Sequence, residues 1–148
     1  MATGSGNLSE ILHCDNKYTG TDVSEGLLKI SYKKFVKNDF KDFELVVCNA
    51  EDLPFQDKTY DICICNLSLN FFSELDSVVK EVKRVLKDNG VFVCSVPIPE
   101  KNKKQSVIRG NLLSEIEIKE IFERNGFDFT SYKFINGALL YFEGILIN

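Results

Sequence analysis

Residues 17–37 read KYTGTDVSEGLLKISYKKFVK, a short strand, a turn and a helix in that order. The strand predicted over residues 17–23 leads to Asp22, and Ser24 is placed to cap the helix that follows. A Ser hydroxyl accepts a hydrogen bond from the free N–H groups of a first helical turn. Apolar residues recur at helical spacing, and the expected buried positions are Leu27, Leu28, Ile30, Phe35 and Val36. A strand that runs directly into a capped helix is the unit from which α/β folds are built.

The same alternation continues along the chain. A short first helix is predicted at residues 7–13, and apolar strands at residues 43–49, 60–66 and 91–96. A longer helix is predicted within residues 73–90, with Gly90 as its stop. Its expected buried stripe consists of Leu75, Val78, Val79, Val82, Val85 and Leu86.

Two helix starts carry the pattern of a capping box, in which Ser and an acidic residue three positions later satisfy free N–H groups. One is Ser73 with Asp76. The other is Ser114 with Glu117, which begins a last helix that stops at Asn125-Gly126.

The C-terminal part changes character. Strands are predicted at residues 127–135 and 138–147, joined by Asn136-Gly137. Asn-Gly is typical of a tight hairpin turn because both turn residues adopt positive φ. The predicted fold is therefore α/β, a parallel sheet with helices on both faces that ends in an antiparallel hairpin.

The composition is that of an ordinary globular domain. The 148 residues are 44% hydrophobic and 27% charged, which predicts a single domain over residues 1–148. A net charge of −4 argues against nucleic acid as a partner. The basic run of Lys101, Lys103 and Lys104 is interpreted as a solvated loop. We find no apolar stretch as long as a membrane span and no signal-peptide pattern at the N-terminus. The odd number of cysteines predicts a cytoplasmic protein.

The cysteines are interpreted as reduced core thiols. There are five of them, an odd number, and most lie on predicted strands. Cys63 and Cys65 would share one strand face, as two metal ligands can. No second Cys or His pair completes such a set, and His13 is distant in sequence, so packing is favoured and no metal site is predicted.

Glycines and polar residues stand where a ligand of a parallel sheet binds, beyond the carboxyl ends of the strands. Asp22, Asn49 and Asn66 follow three of the predicted strands. In the segment TGSGN, Gly4 and Gly6 permit close backbone approach to a ligand, and the helix after them offers free N–H groups.

Together these motifs resemble the class I S-adenosylmethionine-dependent methyltransferases. The residues that carry the resemblance are TGSGN, GTDVSEGLL, CNAEDLPF, YDICICN and RVLKDNGVFV, which span most of the chain. The branch they resemble comprises small-molecule methyltransferases, including the enzymes of ubiquinone and menaquinone biosynthesis. The resemblance implies a three-layer Rossmann-like sheet of order 3-2-1-4-5-7-6 with strand 7 antiparallel. It also implies S-adenosylmethionine as cofactor and a small-molecule methyl acceptor.

The resemblance implies a set of cofactor-binding residues: Gly4, Gly6, Asp22, Val23, Asn49, Ala50, Asn66 and Leu67. Asp22 would accept the ribose hydroxyls, and Val23 would lie beside the adenine. Asn49 stands where the family usually has Asp, and its side-chain oxygen could still accept from the adenine amino group.

Two further implications complete this set. Ala50 would meet the adenine through its backbone, while Asn66 and Leu67 would lie near the methionine part of the cofactor.

The sequence departs from the family at its N-terminus. The family's first strand and its helical lid precede the glycine loop, and neither is found before Gly4, so the fold is expected to be N-terminally truncated. Three explanations stay open. The first is that the sequence is a fragment or starts at the wrong Met. The second is that it is a natural truncation without activity. The third is that another segment or another chain supplies the strand, and that chain can be a second copy in a homo-oligomer.

Methyl transfer needs donor and acceptor held close and in line, and it needs no nucleophile from the protein. We therefore expect no catalytic triad, and the identity of any catalytic residue stays unknown. Asn70 and Phe71-Phe72 either line an acceptor pocket or pack. The alternative functions are a catalytically inactive methyltransferase-like domain that binds or scaffolds a partner, and a nicotinamide-dependent oxidoreductase. The oxidoreductase is disfavoured because the third glycine of its motif would fall at Ser9.

Overall fold

The computed structural model describes residues 1–102 and 108–147. Lys103 and Lys104 of the basic run lie outside these residues. The chain divides into two compact units, Met1–Pro54 and Phe55–Asn148. Each is described by itself, and the single domain expected over residues 1–148 stays a prediction.

The first unit is one two-stranded parallel sheet with a helix between its strands. Its elements are a 3₁₀ helix (Asn7–Glu10), β1 (Tyr18–Asp22), α1 (Glu25–Lys37) and β2 (Phe43–Val47). Asp22 is the register partner of Val47, so both strands end at the same edge. The first helix is shorter than the predicted 7–13, since Ile11 already follows the last 3₁₀ residue.

Helix α1 begins as predicted, with the Ser24 hydroxyl accepting from the N–H of Leu27 over 3.3 Å. Its buried face is narrower than expected. Leu28 and Phe35 are buried, whereas the other three predicted core positions are exposed: Leu27 by 39%, Ile30 by 48% and Val36 by 52%. At about 100° per residue, Leu28 and Phe35 share one face and the other three point away from it.

The second unit contains a four-stranded mixed sheet. Its strands are β3 (Tyr60–Asn66), β4 (Leu86–Pro97), β5 (Phe127–Tyr132) and β6 (Leu139–Leu146). Its helices are α2 (Leu75–Val85) and α3 (Glu115–Arg124), with 3₁₀ helices at Leu69–Phe71 and Pro99–Lys101. The strand order is β3-β4-β6-β5, with β3 and β4 parallel and β6 antiparallel to both of its neighbours. The α/β class and the closing antiparallel hairpin are therefore confirmed.

An aromatic cluster forms the core of this unit. Phe122 of α3 lies 5.1 Å, between ring centroids, from both Phe92 of β4 and Phe142 of β6. Five positions of the stripe predicted on α2 are confirmed as buried: Leu75, Val78, Val79, Val82 and Val85. The sixth, Leu86, is also buried, but as the first residue of β4.

Of the two predicted capping boxes, only the second forms. Ser114 Oγ accepts from Glu117 N over 3.2 Å, and Glu117 Oε2 accepts from Ser114 N over 2.7 Å. The box predicted at Ser73 is wrong, since α2 has Glu74 at its N-cap and no side-chain cap bond. The Asp76 carboxylate instead accepts from Arg124 and Asn125 at the end of α3.

The predicted stop of α2 and the predicted hairpin turn are also wrong. Helix α2 ends at Val85 rather than Gly90, because Leu86 is already extended and begins β4. Neither Asn136 nor Gly137 has positive φ, so the hairpin does not close through the predicted two-residue turn. Its strands stop at Tyr132 and resume at Leu139, and the longer loop contains a Gly137 N–H to Phe134 O bond of 3.1 Å.

Candidate functional site: the carboxyl edges of the parallel strands

Asp22 is the best-anchored polar residue at the carboxyl edge of the first unit. Its Oδ2 accepts from the N–H of Gly4 over 2.8 Å, and its Oδ1 accepts from the N–H of Ser24 over 2.9 Å. The N–H of Thr3 adds a bond of 2.7 Å to the carbonyl of Thr21. The predicted glycine loop and the predicted ribose-binding acid are thus in direct contact.

The two loop glycines have different surroundings, although both adopt positive φ. A Cβ on Gly4 would have no heavy atom within 4 Å, whereas a Cβ on Gly6 would lie 2.5 Å from Ser31 Oγ on α1. Gly6 is therefore needed for close packing of the loop on α1, and Gly4 leaves open space beside Asp22. The sequence motif alone did not separate these two roles.

The remaining predicted residues of the first unit follow β1 and β2. Val23 is 73% exposed, next to Asp22. Asn49 is exposed and its Oδ1 accepts from the N–H of Glu51 over 3.2 Å, while Ala50 is buried. Since β1 and β2 are parallel and in register, Asp22 and Asn49 belong to one edge of this sheet.

One residue of this unit that the motifs did not single out supports the loop. The Tyr18 hydroxyl lies 3.1 Å from Thr3 Oγ1, and the Tyr18 ring stacks on Phe35 with centroids 4.4 Å apart. Burial raises the pKa of Tyr18, so its hydroxyl stays protonated. These contacts give Tyr18 a structural role.

In the second unit, Asn66 and Leu67 lie at the carboxyl edge of β3. The Asn66 Oδ1 accepts from the hydroxyl of Ser95, its register partner on β4. Leu67 has φ 56° and is 48% exposed. Positive φ is costly for a branched side chain, and such residues cluster at functional sites. No sequence motif pointed to Ser95, and only its register with Asn66 on the neighbouring strand identifies it as the partner of that side chain.

Asn70, considered above for an acceptor pocket, is a buried anchor. Its Nδ2 donates to the carbonyl of Arg109 over 2.6 Å, and its own carbonyl accepts from the N–H of Asn111 over 2.6 Å. Gly110, between them, would place a Cβ only 2.2 Å from that carbonyl oxygen. Phe71 is 60% exposed.

The cysteines of β3 and β4 are packed thiols. Cys65 and Cys94 are register partners and both are buried. Burial raises the pKa of Cys63 to about 11, which leaves it a neutral and unreactive thiol at physiological pH. The packing interpretation of Cys63 and Cys65 agrees with this geometry.

The parallel strands, the crossover helices and the terminal antiparallel strand define a Rossmann-like α/β protein with polar groups at the strand ends. Among solved structures of this fold, a SAM-dependent methyltransferase from Aquifex aeolicus has a TM-score of 0.81 at 20% identity, covering 99% of this chain and 79% of that one. The [4+2]-cyclase SpnF has a TM-score of 0.74 at 22% identity, covering 88% of this chain and 52% of that one. At these identities the likeness concerns the fold alone.

Sequence comparison identifies the family. Residues 1–94 match the model of the methyltransferase domain, and the chain belongs to this family. S-adenosylmethionine is the cofactor that the family implies. A demethylmenaquinone methyltransferase of Symbiobacterium thermophilum is 32% identical over 99 residues, which are 64% of this chain and 39% of that protein. The chain thus matches about two fifths of that relative's length.

No helix in residues 1–102 or 108–147 has the length and apolar character needed to cross a membrane.

Proposed function

We propose that the chain binds S-adenosylmethionine at the carboxyl edge of β1 and β2, and that it works in transfer of the methyl group to a small-molecule acceptor. The observation that carries the proposal is the bond between the Gly4 N–H and the Asp22 carboxylate, with open space on the side of Gly4 where a side chain would stand. A backbone turn held against a carboxylate in this way suits a ribose with two adjacent hydroxyls.

The lone pairs of Asp22 are sufficient for this role. A carboxylate has about four acceptor positions. Gly4 and Ser24 use one on each oxygen, so each oxygen retains a position for a ribose hydroxyl. The two backbone bonds also fix the orientation of the carboxylate before a ligand arrives, which lowers the entropy cost of binding.

Apolar and polar groups beside Asp22 match an adenine ring. The exposed Val23 side chain offers an apolar surface, and the exposed Asn49 amide can accept from the exocyclic amino group with its second lone pair. Ala50 contributes its backbone. For Asn66 and Leu67, a place near the methionine part stays a prediction that rests on the family resemblance alone.

When bound, S-adenosylmethionine supplies a methyl group on a positively charged sulfur, and the acceptor attacks this methyl group in line with the sulfur, which leaves as a neutral thioether. The residues of the first unit bind and orient the cofactor: Asp22 holds the ribose, and Gly4 permits close approach of the ligand to the backbone. Such positioning accounts for much of the rate of a displacement reaction. We assign no general base.

The relatives suggest which class of small molecule to test as the methyl acceptor. Because the Symbiobacterium relative is a demethylmenaquinone methyltransferase, quinone precursors are the first small molecules to test. The cytoplasmic location, the lack of a nucleic-acid partner, and a homo-oligomer or partner chain stay predictions.

Calorimetric titration with S-adenosylhomocysteine tests the cofactor site. Asp22→Asn preserves the shape and an acceptor for Gly4 but removes the charge, and we expect affinity to fall about tenfold to a hundredfold, as for a lost charged hydrogen bond. Asp42→Asn is the matched control, because this exposed residue precedes β2 at the opposite end of the strand. Equal affinity of both variants and the parent, or no binding by a folded parent, contradicts the proposal.

Methyl transfer is measured separately, with isotopically labelled S-adenosylmethionine and a panel of quinone precursors. Labelled product supports the catalytic function. Binding of S-adenosylhomocysteine without transfer to any acceptor favours the inactive, partner-binding alternative.

A further inference from the structure

A second cluster of ligand-type side chains lies in the loop between the first 3₁₀ helix and β1. His13, Cys14 and Asp15 follow one another in sequence, and their ligand atoms all lie within 4.8 Å of one another. Within residues 1–102 and 108–147, it is the one such trio of His, Cys and acidic side chains. The loop enters β1 at its amino end, whereas Asp22 is at the carboxyl end, so this cluster is separate from the proposed cofactor site.

The backbone of the loop is folded so that the three side chains converge. The carbonyl of His13 accepts from both the N–H of Asn16, over 3.1 Å, and the Asn16 side-chain amide, over 2.9 Å. The N–H of Asp15 lies 3.5 Å from His13 Nδ1, a long contact that a cation bound at this nitrogen would replace. Both outer side chains are exposed, His13 by 76% and Asp15 by 81%.

The spacing of the donor atoms agrees with ligands of one small cation. His13 Nδ1 and Asp15 Oδ2 are 3.3 Å apart. Two ligands at Zn–N and Zn–O distances of about 2.0–2.1 Å in a tetrahedron are separated by about 3.3 Å. A Cys sulfur, with a bond of about 2.3 Å, lies about 3.6 Å from the other ligands of a tetrahedron. Because the ligand atoms lie within 4.8 Å of one another, the Cys14 sulfur must approach them by about 1.2 Å at most. As a bare ion pair, by contrast, so exposed a contact contributes little to stability.

We propose that His13, Cys14 and Asp15 bind a divalent transition cation, Zn²⁺ by preference, with water in the fourth position. The donor set of imidazole, thiolate and carboxylate is the one that Zn²⁺ takes, and it excludes Mg²⁺ and Ca²⁺, which prefer oxygen alone. The Cys14 thiol releases its proton to the solvent as the metal binds. The bound cation would hold the loop between the 3₁₀ helix and β1 in one conformation.

Titration with Co²⁺, under a reductant that contains no thiol, tests this site. We expect one equivalent of Co²⁺ per chain, a thiolate-to-cobalt absorption band in the near ultraviolet, and loss of the band on addition of Zn²⁺. Cys14→Ser abolishes the band. Cys48→Ser keeps it, since Cys48 is the other half-buried thiol of the first unit and lies beyond β2. His13→Ala and Asp15→Asn weaken Co²⁺ binding at least tenfold.

Other outcomes overturn the proposal. They are a band that survives in Cys14→Ser, a band lost equally in Cys48→Ser, no band at all, or saturation at half an equivalent, which indicates a cation shared between two copies. Circular dichroism and S-adenosylhomocysteine affinity unchanged from the parent show that each variant is folded. The site stands independently of the proposed methyl transfer.

Discussion

The backbone N–H of Gly4 donates to Asp22 Oδ2 over 2.8 Å and so joins the first turn of the chain to the carboxyl end of β1. The same carboxylate accepts from Ser24, the N-cap of α1. One side chain thereby positions the loop, the strand end and the helix start. In the proposed function, the group that binds the ribose is also the group that organises its surroundings.

The two loop glycines are predicted to differ in their tolerance of a side chain. Gly6→Ala places a methyl group 2.5 Å from Ser31 Oγ at φ 79°, and we expect a loss of roughly 2 kcal/mol or more in the free energy of unfolding. Gly4→Ala meets no atom within 4 Å and carries only the cost of positive φ, about 1 kcal/mol. Urea unfolding of both variants measures this. Equal losses contradict the assignment of Gly6 to packing.

A second prediction concerns the helix caps. Ser114→Ala removes the capping box of α3 and is expected to lower the free energy of unfolding by about 1 kcal/mol. Ser73→Ala is the matched control, because Ser73 precedes a helix whose N-cap makes no side-chain bond, and it should cost at most a few tenths of that amount. The comparison is made by thermal or urea unfolding. A Ser73→Ala loss as large as that of Ser114→Ala would show that α2 begins differently.

The stability of the second unit is predicted to depend on the charge of Asp76. Bonds from Lys80, Arg124 and Asn125 hold the pKa of this carboxyl well below its usual range. A carboxyl with a depressed pKa stabilises the fold above its unfolded pKa of about 4, and that stabilisation is lost as the pH falls toward the folded value. We therefore expect Asp76→Asn to be less stable than the parent at pH 7.

The difference between Asp76→Asn and the parent should shrink as the pH is lowered from 4 toward 2, in urea titrations at each pH. Asp61→Asn is the control, since it removes an exposed carboxylate that pairs with Lys87 over 2.8 Å. A difference for Asp76→Asn that stays constant with pH would mean that the ion pairs do not contribute.

The close contact between Gly110 and Asn70 leads to a fourth prediction. Gly110→Ala puts a methyl group 2.2 Å from the carbonyl oxygen of Asn70, at φ 92°. We expect the bond that Asn70 donates to Arg109 and the bond that it accepts from Asn111 to break, and stability to fall by roughly 2 kcal/mol. Hydrogen exchange at the Asn111 amide should accelerate in this variant. Unchanged hydrogen exchange at the Asn111 amide would show that residues 109–111 accommodate the methyl group and keep their hydrogen bonds to Asn70.

Much of the fold was predictable from local pattern. The stripe of α2 emerged from helical spacing, and the Ser114 box from four residues of sequence, because both depend on neighbours along the chain. The box at Ser73 failed because Asp76 is held by Arg124, a residue 48 positions away. The exposure of Leu27, Ile30 and Val36 likewise depends on which face of α1 meets its sheet.

The contact between the glycine loop and Asp22 was predictable through the resemblance to a family. Asp22 and Gly4 were assigned to one ligand, and they are hydrogen-bonded to each other. The difference between Gly4 and Gly6, and the partnership of Asn66 with Ser95, could not be predicted, since both depend on atoms brought close only by packing and strand register. The convergence of His13, Cys14 and Asp15 was missed because it depends on the backbone bonds of one loop.

By itself, the sequence determined the α/β class, the main elements, the antiparallel end and the family, because these depend on periodicity, composition and short motifs. Only the tertiary structure decided where the helices and the hairpin turn stop, which face of α1 is buried, and which glycine is confined by packing. The physical reason is that close contacts between distant residues, such as Gly6 with Ser31 or Asp76 with Arg124, are short-ranged. They exist only once the chain has brought those atoms together.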